Sequence, residues 1–158
     1  MNRRQLLRAA ANAGAVPFVV WLAGCAPSAS AAGPRAIQWN REVCTQCGMV
    51  LSDRRFAVQM QGGATNGHWN FDDIGCALTW LAARGWPASQ QPRLWVADIE
   101  GGADTAEPHW LEAPVAHYHA GRDSPMGYGF GASAAAAAGS IGFAELRERV
   151  LSSRSRMP

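Results

Sequence analysis

Cys44, Cys47 and Met49 fall within six positions of one another in "VCTQCGMVL". A thiol pair with this spacing is suited to three kinds of chemistry: a redox disulfide, half of a zinc site, or a soft-metal cradle. A redox CxxC opens a helix behind a strand, so that the helix dipole lowers one thiol pKa. Here Gly48-Met49 and then the strand-like "FAVQMQG" follow instead, which is the wrong setting. A structural zinc site calls for a second ligand pair. The chain has no second CxxC, and His117 and His119 are only two residues apart. Thiolate and thioether sulfurs favour Cu(I), which accepts two or three ligands in an open geometry. Cys44, Cys47, Met49 and the distant Met126, in a glycine-rich stretch, offer four such sulfurs. Met60, on a strand with apolar neighbours, reads as core filler.

The remaining donors are less clear. Cys76 falls on the first turn of an expected helix beside Ile74 and Ala77, the setting of a buried inert thiol, although a helix N-terminus would also suit a metal-binding thiolate. His117 and His119 share one face of an expected strand and are either solvated or available to a site. Asp72 and Asp73 are accounted for as helix caps. No nucleophilic-serine motif, phosphate loop or pair of catalytic carboxylates occurs, which leaves hydrolase and kinase readings without support.

The start of the chain places these donors in a compartment. Arg3, Arg4 and Arg8 precede an apolar stretch from Ala9 to Gly24, the layout of an export signal of either the Sec or the twin-arginine kind. "LAGC" at Leu22–Cys25 looks like a lipobox. It would make residues 1–24 a lipoprotein signal peptide and Cys25 the lipidated first residue of a periplasmic, membrane-anchored protein. Residues 25–38, small and polar with Pro27 and Pro34, read as a flexible tether, and 39–152 as the folded domain. Taking Arg3, Arg4 and Arg8 from the 14 basic residues leaves 11 against 12 acidic, a formal charge of −1. The apparent basicity belongs to the signal, and nucleic-acid binding is not expected. With Cys25 assigned to lipid, three cysteines remain, an odd number for a disulfide framework.

The elements that must position the donors follow from periodicity. Residues 54–71 read as a hairpin around "GGATNG". A helix is expected from Asp73 to Arg84, stopped by Gly85 and Pro87, and a strand over Arg93–Ile99. "HWLEA" and "PVAHYHA" read as further strands and "FAELRERVL" as a terminal helix, while the alanine run 134–138 is helical by propensity but flanked by glycines. A faint echo of strand-strand-helix from His109 onward suggests an α+β fold of two small ββαβ-like units with mainly antiparallel strands.

"CTQCGM", "FDDIGC", "LWVADI", "HWLEAPVAHY" and "SPMGYGFGA", in this order and spacing, resemble the NosL family of lipoproteins accessory to nitrous oxide reductase, over nearly all of residues 40–132. The resemblance implies a periplasmic copper chaperone that binds one Cu(I) and passes it to the copper centre of nitrous oxide reductase. It also implies paired ββαβ units of the kind seen in part of organomercurial lyase. Carried over by motif, CxxCGM puts forward Cys44, Cys47 and Met49, and PMG puts forward Met126. After PMGYG the chain departs from its relatives into "FGASAAAAAGSIGFAELRER", shortened and alanine-rich, which bears on the last strand and helix of the second unit. Two alternatives stand beside this reading: a periplasmic thiol-disulfide oxidoreductase working through Cys44 and Cys47, and a copper chaperone for another client.

Overall fold

A computed structural model describes residues 33–101 and 105–154. The expected signal peptide, Cys25 and the first part of the expected tether lie outside the described residues. Strands β1 (Val58–Gly62) and β2 (Gly67–Phe71) form the expected hairpin, with Met60 opposite Trp69. Its turn places Gly63 at φ +73, where an added Cβ would sit 2.4 Å from the ring of Trp86, so only glycine fits. Helix α1 (Ile74–Ala82) follows directly, and β3 (Arg93–Ala97) returns antiparallel on the other side of β1. β4 (Trp110–Glu112) adds to β3, which gives a four-stranded sheet in the order β2-β1-β3-β4.

Why α1 starts and stops where it does can be read from its caps. Asp73 is extended (φ −153, ψ 143) and its side chain accepts from the Gly75 N–H. At the other end the Ala83 N–H reaches back to the Thr79 and Leu81 carbonyls, and Gly85 takes φ +56. The helix is therefore shorter than the expected Asp73–Arg84. Its residues from Ile74 to Trp80 are all buried, because the sheet covers one side and the C-terminal half of the chain the other.

The second half departs from the expected layout. "PVAHYHA" is not one strand: Pro114 sits in a 3₁₀ turn over Ala113–Val115, and β5 begins only at His117 (His117–Ala120). β5 pairs antiparallel with β6 (Phe130–Ser133) in a separate two-stranded sheet, joined to the end of β3 by a parallel Asp98–Ala132 bridge. The strand "HWLEA" thus completes the first sheet and does not open the second unit. Helix α2 (Phe143–Arg154) closes the core with Leu146 and Val150. Residues 134–138 are exposed turns, not helix: a five-alanine run too short to pay for nucleation has no apolar face to dock. The architecture is α+β with mainly antiparallel strands, a full ββαβ arrangement first and a ββα arrangement after it among the described residues.

The polar face of β1 is not open to water. Gln59 and Gln61 are buried because the chain from residue 33 runs along them: the Arg35 N–H donates to Gln59 Oε1 at 2.8 Å, and Gln59 Nε2 donates back to the Arg35 carbonyl at 2.7 Å. The Gly33 N–H donates to Gln61 Oε1, and Ile37 is buried. Residues 33–37, expected within the tether, thus lie packed on the sheet. Among the described residues no helix is long and apolar enough to cross a membrane.

Candidate metal centre

Two separate parts of the chain build the site. The first is the loop from Val43 to Val50, which those two valines close as an antiparallel bridge. Inside it the Cys44 N–H donates to the Met49 carbonyl at 2.7 Å, and the Gly48 N–H donates to the Cys44 carbonyl at 2.9 Å. Gly48 makes this turn at φ +78, a conformation that favours glycine. Thr45 donates its N–H to the Asn70 carbonyl, and Asn70 Nδ2 donates to Glu42, so the loop is fastened to β2. The second part is the passage from β2 into α1. Asp72 lies between the last strand residue and the cap, and Cys76 occupies the first turn of the helix.

These parts meet in one cluster. The sulfurs of Cys44, Cys47 and Cys76 and a carboxylate oxygen of Asp72 all lie within 4.8 Å of one another. Cys44, Cys76 and Asp72 are buried, and Cys47 is the half-exposed member. None of the three thiols is bridged. Cys47 Sγ donates to Asp72 Oδ2 at 3.4 Å, while Asp72 Oδ1 is buried without a partner. A buried carboxylate oxygen with nothing to accept from is costly, and a cation is the simplest group to satisfy it.

The electrostatics point the same way. The hydrogen bond between Cys76 and Cys44 pulls the Cys44 thiol down to about 6, against the opposing effect of burial. The same bond, together with burial and the nearby Cys44 charge, pushes Cys76 far up. Burial first, then the Cys44 hydrogen bond and charge and the Asp72 charge, raise Cys47 to about 11. The cluster therefore carries one thiolate readily and resists a second. A metal cation placed among the sulfurs would remove that resistance.

The other expected donors are placed as follows. Met49 gives the cluster's loop its backbone carbonyl, and its side chain is 49% exposed. Met126 lies on a different loop, 37% exposed, with its N–H donated to Asp73 Oδ2 at 3.3 Å; that loop is thereby held against the first turn of α1. His117 and His119 lie on β5, outside the cluster, and His119 Nε2 is 2.6 Å from Ser133 Oγ. Sequence reasoning missed Asp72 as a donor by explaining it as a cap. The spacing Asp72-x3-Cys76 puts a carboxylate just before the N-cap and a thiol on the first turn of α1, a second pair of groups that could hold an ion beside Cys44 and Cys47.

The fold and cluster define an α+β protein with a Cys3Asp set, buried except for Cys47, that could hold a metal ion. No protein-family model matches the chain, and no curated protein does. Among solved structures it is similar to the copper chaperone NosL from Shewanella denitrificans, at 15% identity, over 77% of this chain and 87% of that one, with a TM-score of 0.54. At that identity the likeness is one of fold.

Proposed function

We propose that this chain is a membrane-anchored periplasmic Cu(I) chaperone that delivers copper for assembly of the copper centre of nitrous oxide reductase. The observation that carries the reading is the meeting of three cysteine sulfurs and the Asp72 carboxylate within 4.8 Å of one another. Sulfur-rich donor sets select Cu(I), and a likeness in fold to a copper chaperone supports that choice over other soft ions. Export and anchoring rest on the signal and the lipobox cysteine Cys25, and the client on the motif resemblance. Another periplasmic copper protein would use the same chemistry.

Burial gives the donors different parts in transfer. Cys44 and Cys76 hold the ion from inside, and half-exposed Cys47 faces the approach. A sulfur or imidazole of the client enters the copper shell beside Cys47, which leaves as the new bond forms. The ion then moves through shared two- and three-coordinate states without release to solvent. Met49, on the cluster's loop, and Met126, on the loop tied to Asp73, are the thioethers proposed to join the shell during transfer. No bond of the substrate is made or broken apart from metal–ligand bonds, so this is not an enzyme.

Anaerobic titration of the reduced protein is expected to saturate at one Cu(I) with sulfur-to-copper absorption, and absence of tight binding ends the reading. A zinc reading also has an observation in its favour, since three thiolates and a carboxylate make an ordinary tetrahedral zinc set. Competition settles it: Cu(I) displaces Zn(II) at equal concentration if the chaperone reading holds. Turnover of a model disulfide in the presence of a strong copper chelator would instead favour the thiol oxidoreductase.

A further inference from the structure

We propose that Asp73 is the positioning residue that gives the cluster its preference for a soft monovalent ion, because it holds the Met126 loop across the first turn of α1. The inference rests on the copper reading above and adds to it the device that brings in the thioether.

Asp73 is fully buried, and its two oxygens do separate work. Oδ1 accepts the Gly75 N–H at 2.9 Å and caps the helix. Oδ2 accepts the Ser124 hydroxyl at 2.6 Å and the Met126 N–H at 3.3 Å. Ser124 Oγ in turn accepts the Gly129 N–H at 2.9 Å, so one carboxylate gathers both ends of the loop 124–129. Capping alone needs one oxygen, which asparagine or serine would supply as well; the second oxygen is committed to the loop. Packing acts in the same direction. The Tyr128 ring lies against Gly75, where an added Cβ would come within 2.0 Å of it, and the Tyr128 hydroxyl is 3.4 Å from Thr79 Oγ1.

The loop is closed by its own bonds, Gly127 N–H to the Ser124 carbonyl at 2.9 Å, Gly129 N–H to Ser124 Oγ at 2.9 Å and Arg122 N–H to the Gly129 carbonyl at 3.1 Å, with Gly127 at φ +70 and Gly129 at φ +79 making the turns. Those bonds shape the loop, and the contacts to Asp73, Gly75 and Thr79 seat it on α1. It is tied to the turn that carries Cys76 and to the residue next to Asp72. A neutral thioether adds much to the binding of Cu(I) and little to that of Zn(II), which is served by thiolate, imidazole and carboxylate. Holding Met126 on this turn therefore favours the soft ion selectively.

Asp73→Asn separates the two jobs. It keeps an oxygen for the Gly75 N–H and turns an amide N–H toward the Met126 N–H, where two donors face each other. In the reduced full chain in detergent, Cu(I) affinity measured against a competing chelator is expected to fall about 10- to 100-fold. Met126→Leu should fall by the same factor, and the double variant no further. Zn(II) affinity should stay as it is in the wild type, and X-ray absorption of the Cu(I)-loaded variant should lose one sulfur scatterer. Wild-type Cu(I) affinity in Asp73→Asn, additive losses in the double variant, or an equal fall for Zn(II) overturns the proposal. If Asp73→Asn does not fold, Ser124→Ala, which removes the shorter of the two bonds to that oxygen and leaves the cap, is read by the same criteria. Failure of the copper reading itself shows earlier, as absence of Cu(I) binding by the wild type.

Discussion

With Cys44 pulled down to about 6, Cys47 raised to about 11 and Cys76 pushed far up by its bond to Cys44, a metal binding here would have to displace protons. At pH 7 Cys44 is mostly ionised while Cys47 and Cys76 hold their protons. Binding one ion through three thiolates should then release about two protons, measurable by calorimetry in buffers of different ionisation enthalpy. Apparent affinity should rise with pH between 7 and 10, and fall more steeply below pH 6, where Cys44 also takes up a proton. A flat profile would mean that Cys47 and Cys76 stay out of the metal shell. Cys44→Ser and Cys76→Ser, which remove buried ligands, should each cost more than about 100-fold in metal affinity, beyond the loss ordinary for supporting residues. Asp72→Asn separates ligand from neighbour: it leaves the orphaned oxygen in place but removes the charge, and its effect should be larger on Zn(II) than on Cu(I).

At the scale of elements, the site exists because a strand ends and a helix starts at the same point. β2 finishes at Phe71, Asp72 makes the corner, Asp73 caps, and Cys76 follows on the first turn. Gly75 is the tightest point of that arrangement. Gly75→Ala would ordinarily favour the helix by about 1 kcal/mol, but the added methyl would stand 2.0 Å from Tyr128 Cγ. The clash should win: a loss of about 1–3 kcal/mol in urea unfolding is expected, as for other overpacked positions. Expulsion of Tyr128 should also weaken Cu(I) binding through the Met126 loop. Unchanged stability would show that the ring moves aside freely.

For the molecule as a whole, the cluster ties a loop near the start of the domain to its first helix, so the metal should act as a clamp. With free Cu(I) at a thousand times its dissociation constant, stability should rise by about 4 kcal/mol, and a chelator should reverse it. The readout is the thermal midpoint of reduced protein with and without the ion; no shift would mean that the cluster does not bind in the folded state. On the proposed lipidation, the full chain should incorporate labelled fatty acid and Cys25→Ala should not; equal labelling of both would remove Cys25 as the anchor.

The donor types, the hairpin, the capped helix and the terminal helix were all legible in the residues, because each depends on local spacing: CxxC, period-two alternation, Asp before an apolar period, Gly-Pro after it. Three things were not legible, and they share one cause. That Cys76 lies beside Cys44, that Asp72 meets Cys47 as well as neighbouring the cap, and that Asp73 reaches Ser124 and Met126 are contacts between residues 25 to 53 positions apart. Local patterns carry no record of such distances. The burial of Gln59 and Gln61, and the failure of the alanine run to form a helix, have the same origin, since both depend on what does or does not pack against them. The chemistry open to the site was written in the residue types; which of them lie close enough to share one ion was decided by the packing of the loop against α1.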